Sequence, residues 1–151
     1  MISQFTETTR LPDGLPGSAR QGRAVLTHMP TATSEFEKLD AWRVSRALTS
    51  RVYALCRRAP LARDFGLCDQ LRRAAVSVMN NIAEGWESRH PAEKVSFYNF
   101  ARRSCGEVRS MSYVLLDSQF ITDLEQRELR DHCIRSGMLV SGLIRSVQSR
   151  N

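Results

Sequence analysis

Phe65-Gly66-Leu67-Cys68-Asp69-Gln70-Leu71-Arg72-Arg73-Ala74-Ala75-Val76-Ser77-Val78-Met79-Asn80-Asn81-Ile82-Ala83-Glu84-Gly85 is the stretch from which the fold can be read. Leu67, Leu71, Ala74, Val78 and Ile82 recur at steps of three and four, which aligns them on one face of a helix. Asp64 stands immediately before it, where a carboxylate accepts the first free amides. Gly85 is expected to end the helix in a left-handed conformation. An apolar stripe of this length has to be covered, and other helices are the partners that suit it.

Three more helices flank this one. Upstream, Trp42, Leu48, Val52, Leu55 and Cys56 form a stripe that begins after Asp40, an N-cap candidate, and closes at Arg57, Arg58 and Pro60. Ser34-x-x-Glu37 is a competing, earlier start. Downstream, Pro91 suits a first helical position, and Tyr98, Ala101, Cys105, Val108, Ser112 and Leu115 alternate steps of three and four to about Ser118. The last helix opens with the capping box Thr122-x-x-Glu125 and continues the same alternation through Leu129, Cys133, Ser136, Val140, Leu143 and Val147. No run of β-branched residues alternates with polar ones, so the expected class is all-α. Connections of a few residues force neighbouring helices to run in opposite directions, which gives an up-down-up-down antiparallel four-helix bundle. The bundle is expected over residues 34–151. Residues 1–33, with three of the five prolines and three of the eight glycines, have no sustained apolar period and are expected to form a flexible tail.

Composition narrows the function. A 42% hydrophobic fraction over 151 residues supports one core. No stretch approaches the roughly 18 apolar residues of a membrane span, and no secretory signal opens the chain, so a cytoplasmic protein without membrane association is expected. Cys56, Cys68, Cys105 and Cys133 have no C-x-x-C spacing and read as small apolar packing groups in a reducing compartment. The formal charge is +6, and 20 of the 22 basic residues are arginine. That bias arises either from codon usage or from a need for planar contacts to phosphate or carboxylate.

Catalytic patterns are missing. A di-iron bundle needs two Glu-x-x-His pairs on facing helices, and only Glu87-x-x-His90, in a predicted loop, has that spacing. His132 and Cys133 are adjacent and point to different faces of a helix. No glycine-rich phosphate loop is present. The expectation is a protein that is not an enzyme, with no catalytic residue, no cofactor and no metal.

Phe36-Glu37-Lys38-Leu39-Asp40-Ala41-Trp42, Phe65-Gly66-Leu67, Gln70-Leu71-Arg72-Arg73-Ala74-Ala75-Val76-Ser77 and Asn81-Ile82-Ala83-Glu84-Gly85 resemble the bacterial four-helix-bundle protein family. That family includes the protein encoded in intervening sequences of 23S ribosomal RNA genes, and is related to the accessory protein of diversity-generating retroelements. The likeness spans residues 36–121, and Phe97, Phe100, Ala101, Ser104 and Glu107 continue it. The chain departs from the pattern at Met79, where the family has proline, and at Asn80, where it has serine. Other departures are His90 in place of a Ser or Thr cap and Arg103 in place of a small residue. The resemblance implies a homopentamer with a basic surface that binds nucleic acid in some members, a reverse transcriptase as one possible partner, and no catalysis.

Two residue sets follow. Gln70, Arg73, Asn81 and Glu84 in the second helix, with Glu107 in the third, form a candidate structural or interface network in which Arg73 could meet Glu107; direct ligand contact is the alternative. Arg43 and Arg46, Arg102 and Arg109, and Arg127 and Arg130 repeat at helical steps and are candidate nucleic-acid contacts, RNA or DNA, although Asp123, Glu125, Glu128 and Asp131 offset part of that charge. Tyr53, Val76, Met111, Val114 and Met138 lie off the main stripes and suggest a second apolar face for copies of the chain. A protein-interaction scaffold or accessory subunit with no nucleic-acid role is the alternative function.

Overall fold

The computed structural model describes residues 35–150. The tail expected over residues 1–33 and the helix start at Ser34 lie outside the described residues. Four helices follow one another, α1 (Asp40–Leu55), α2 (Phe65–Glu87), α3 (Pro91–Asp117) and α4 (Asp123–Gln148), with single 3-10 turns at Phe36–Lys38 and Leu61–Arg63. No strand occurs among the described residues. Helix α1 packs on α2 and α4, and α3 packs on the same two, so each helix turns its stripe toward a common interior. None of the described helices is long and apolar enough to cross a membrane.

The stripes read from the sequence are the core. Leu71, Ala74, Val78 and Ile82 of α2 and all six seam residues of α3, from Tyr98 to Leu115, are buried. In α4 the seam is buried from Leu129 to Val140, whereas Leu143 and Val147 are half-buried and pack on its edge. Each buried Leu, Ile or Val contributes about 1.5–3 kcal/mol relative to exposure, which makes these seams the main source of stability.

The helix ends depart from expectation in two places. Asp40 is the first residue of α1 and not its cap; Leu39 takes the cap position and offers no side-chain hydrogen bond. The preceding 3-10 turn holds the chain instead, because Phe36 packs edge-on against Trp42 at 5.3 Å and the Glu37 carbonyl accepts from Arg43 Nε at 2.9 Å. Gly85 does not end α2, which runs unbroken through Met79 to Glu87. Its reason is space: a Cβ built there would lie 2.5 Å from a Tyr98 ring carbon and 3.2 Å from Phe97 Cβ, so glycine lets α2 and α3 close up. The free carbonyls beyond it are met from α3, where Lys94 Nζ donates to Gly85 O at 3.2 Å and Trp86 O at 2.8 Å.

Other ends match the sequence. Asp64 accepts from Leu67 N at 3.0 Å, Pro91 opens α3, and Thr122 and Glu125 cap α4 reciprocally. The α3–α4 turn closes through Phe120 N to Leu115 O and Gln119 N to Leu116 O, both 2.9 Å, with Gln119 in the left-handed region at φ 56°.

Glu125 ties three elements together. Its carboxylate accepts from Arg58 Nη1 at 2.6 Å and from Thr122 N at 3.0 Å, and lies 3.5 Å from Arg51. Arg58, then the Thr122 amide, lower its pKa to about 2.

Two outcomes are expected. Gly85→Ala destabilises the fold by about 1–3 kcal/mol in chemical denaturation, because overpacking against Tyr98 outweighs the gain in helix propensity. Glu125→Gln lowers the melting temperature at neutral pH. Because the folded carboxyl is held below its ordinary value of 4.5, its contribution is fully present above that pH and is lost as pH falls toward about 2. Melts of the two proteins should therefore converge over that window.

Candidate nucleic-acid and subunit interfaces

The polar signature of α2 opens onto a groove of about 980 Å³ between α2 and α3. Gln70, Arg73 and Asn81 line it with Phe97, Phe100 and Glu107. Glu84 falls outside this groove and lines the neighbouring hollow beside Tyr53 and Arg72. Four of the five residues proposed as a network are thus brought to one place, but their bonds differ from expectation. Arg73 pairs with Asp69 at 3.1 Å and not with Glu107, because a carboxylate one turn away on the same helix is reached without crossing the groove. Both partners are exposed, so the pair adds only a few tenths of a kcal/mol.

The cross-helix bond is made by serines. Asn81 Nδ2 donates back to Ser77 O at 2.8 Å and to Ser77 Oγ at 3.0 Å, not toward Glu84. Ser104 Oγ on α3 donates to Ser77 Oγ at 2.9 Å. A second polar link, from Gln126 Nε2 to Ser112 Oγ at 3.2 Å, joins α4 to α3. Such small side chains set register without holding the helices apart. Arg103 is exposed and lines the same groove, its guanidinium over the Phe100 ring at 5.8 Å.

The candidate arginines occupy separate surfaces. Arg43 is tied to the Glu37 carbonyl and lies 3.9 Å from Asp40, and Arg46 stacks over Trp42 at 5.7 Å. Arg127 is exposed, and Arg130 pairs with Asp131 at 3.1 Å. Arg102 and Arg109 are different: with Arg145 they line a groove of about 460 Å³ between α3 and α4, together with Gly106, Gly137 and Met138. Arg145 was not among the residues marked from the sequence. The signal available was the lack of any acidic residue after Asp131.

Of the residues suggested for a second apolar face, Tyr53, Val114 and Met138 are exposed, Met138 by 68%. Val76 and Met111 are half-buried, and Met111 packs on the core. Phe65, 81% exposed, and Leu124 add apolar surface that the periodicity did not single out. The four cysteines are free and buried. Burial pushes the thiols of Cys56, Cys105 and Cys133 up to about 12, so they are protonated packing groups at neutral pH. Glu87 ends α2, His90 occupies the N-terminal cap position of α3 without a side-chain capping bond, and no three metal-capable side chains converge among the described residues.

Removing the serine link tests the α2–α3 register. Ser77→Ala leaves Ser104 Oγ without its acceptor, and a loss of about 1–2 kcal/mol is expected in urea unfolding.

Residues 37–142 match the family described as 23S rRNA-intervening sequence protein. No curated protein matches the sequence. Among solved structures, the chain is similar to a protein of unknown function from the S23 ribosomal protein family of Bacteroides thetaiotaomicron. The identity is 17% and the TM-score 0.65, over 70% of this chain and 95% of that one, a likeness of fold. The match takes in all of α1, α2 and α3, the α2–α3 groove and most of α4, and the chain belongs to the 23S rRNA-intervening sequence protein family.

Proposed function

We propose that this chain is a non-enzymatic, up-down-up-down antiparallel bundle that assembles as a homopentamer and binds nucleic acid through arginines, without sequence readout. One observation carries the reading: exposed Arg46, Arg102, Arg109 and Arg127 have no carboxylate partner among the described residues, whereas Arg43, Arg51, Arg58, Arg73 and Arg130 are each paired with an acid. Charge left uncompensated on helix faces is repeated in every copy, so assembly turns small patches into an extended positive surface. The short α2–α3 and α3–α4 connections support the alternating direction of the helices. Exposed Tyr53, Phe65 and Val114 supply apolar area for contact between copies. The family's description makes RNA the first nucleic acid to try. A protein-interaction scaffold or accessory subunit with no nucleic-acid role is the second reading, favoured by the mixed polarity of the Phe97 and Phe100 groove.

Native mass measurement and salt-titrated binding test the two parts. A pentameric mass is expected, together with affinity for RNA and DNA that falls about a thousandfold or more between roughly 50 and 200 mM salt. A monomer at high concentration refutes the assembly, and affinity indifferent to salt refutes the nucleic-acid reading.

A further inference from the structure

The α3–α4 groove stands apart from the rest of the surface in charge and in shape. Arg102 and Arg109 on one wall and Arg145 on the other line it, and no acidic side chain does. None of the three has a carboxylate partner among the described residues. Its lining includes exposed Gly106 and half-buried Gly137, and a Cβ at either would meet nothing within 4 Å. Both glycines weaken their helices relative to alanine, yet packing within the chain requires neither. What they do is keep the backbone bare along a basic groove. Ile134 and Met138 give the α4 wall an exposed apolar edge. Tyr113, four residues beyond Arg109 on the same face of α3, is 44% exposed with its hydroxyl facing Arg130.

We propose that this groove holds a single strand of RNA or DNA, with phosphates on Arg102, Arg109 and Arg145, sugars over Gly106 and Gly137, and an unstacked base against Tyr113. The assignment rests on the nucleic-acid reading above and adds the face and the form of the ligand. Packed helices lie about 8–10 Å apart, so a slot between two of them admits a thin chain, whereas a double helix rests only on its rims. Guanidinium groups seven residues apart on α3 are about 10 Å apart along the axis, which suits successive contacts to a phosphate backbone. A groove lined by three guanidinium groups, with Tyr113 one helical turn beyond Arg109, binds strands through backbone charge and stacking, without strong sequence preference.

Fluorescence anisotropy on the full chain tests this, with labelled oligo(U) and oligo(dT), a blunt duplex of equal length, and polyglutamate as competitor. The triple variant R102A/R109A/R145A is expected to lose at least about tenfold in single-strand affinity and to flatten the logarithmic salt slope by about 2. R57A/R63A/R89A removes the same charge from exposed positions outside the groove and should lose far less. Gly137→Gln fills the slot without changing charge and should also weaken binding. Tyr113→Ala should cost about fivefold or more. Circular dichroism establishes that each variant is folded, and the two single variants carry the test if the triple is not.

Several results would overturn the groove and leave nucleic-acid binding standing: equal losses in the two triple variants, full affinity in G137Q and Y113A, or a duplex bound as tightly as the single strand. Displacement of the strand by polyglutamate at equal charge would make an acidic protein segment the ligand. A wild-type chain that binds no nucleic acid at low salt would remove both readings together.

Discussion

Each of the four α-helices among the described residues has an apolar seam, and these seams can leave water only by facing one another. That requirement settles which residues are large, which are small and how closely the axes approach. Where α2 and α3 come nearest, Gly85 yields its side-chain space to Tyr98, a buried ring whose hydroxyl is pushed up to about 12 by loss of water. Small seam residues such as Ala101, Ser104 and Ser112 extend the same economy along α3. Close packing of this kind leaves little tolerance for added volume.

Polar groups are then distributed around a fixed interior. Near the α1 C-terminus, Arg51 and Arg58 converge on Glu125 and Glu128 of α4, which neutralises the acidic start of that helix. On α2, Asp69 takes Arg73. These ion pairs cluster where α1 meets α4 and on α2, while no acidic residue follows Asp131 in α4. Charge along α4 thus changes sign, from its acidic first turn to its arginine-bearing end.

Periodicity and caps made most of the fold legible in advance, because a seam such as Tyr98 to Leu115 has one sensible burial and Thr122 with Glu125 has one sensible role. Gly85 shows where such reading stops. A glycine near a helix end is chemically ambiguous between a left-handed cap and a close contact, and only the position of Tyr98, distant in sequence, decides between them. The same limit applies to Arg73, whose choice of Asp69 over Glu107 depends on reach across a groove, and to Arg145, which matters only because α4 places it opposite Arg102 and Arg109. Lys94 belongs to this class as well: its role at the end of α2 is invisible until α3 is laid alongside. Local chemistry was written in the sequence, whereas long-range neighbours had to be seen.

The reversal between α3 and α4 has a further consequence. Two main-chain hydrogen bonds and a left-handed Gln119 make the turn, with no demand on that residue's side chain. Seam packing between α3 and α4 and the Gln126–Ser112 hydrogen bond, joined by this reversal, align the two walls of the basic groove. Exchange of Gln119 alone would alter how much strain the hairpin stores, while the spacing of the arginines across the cleft would stay as it is.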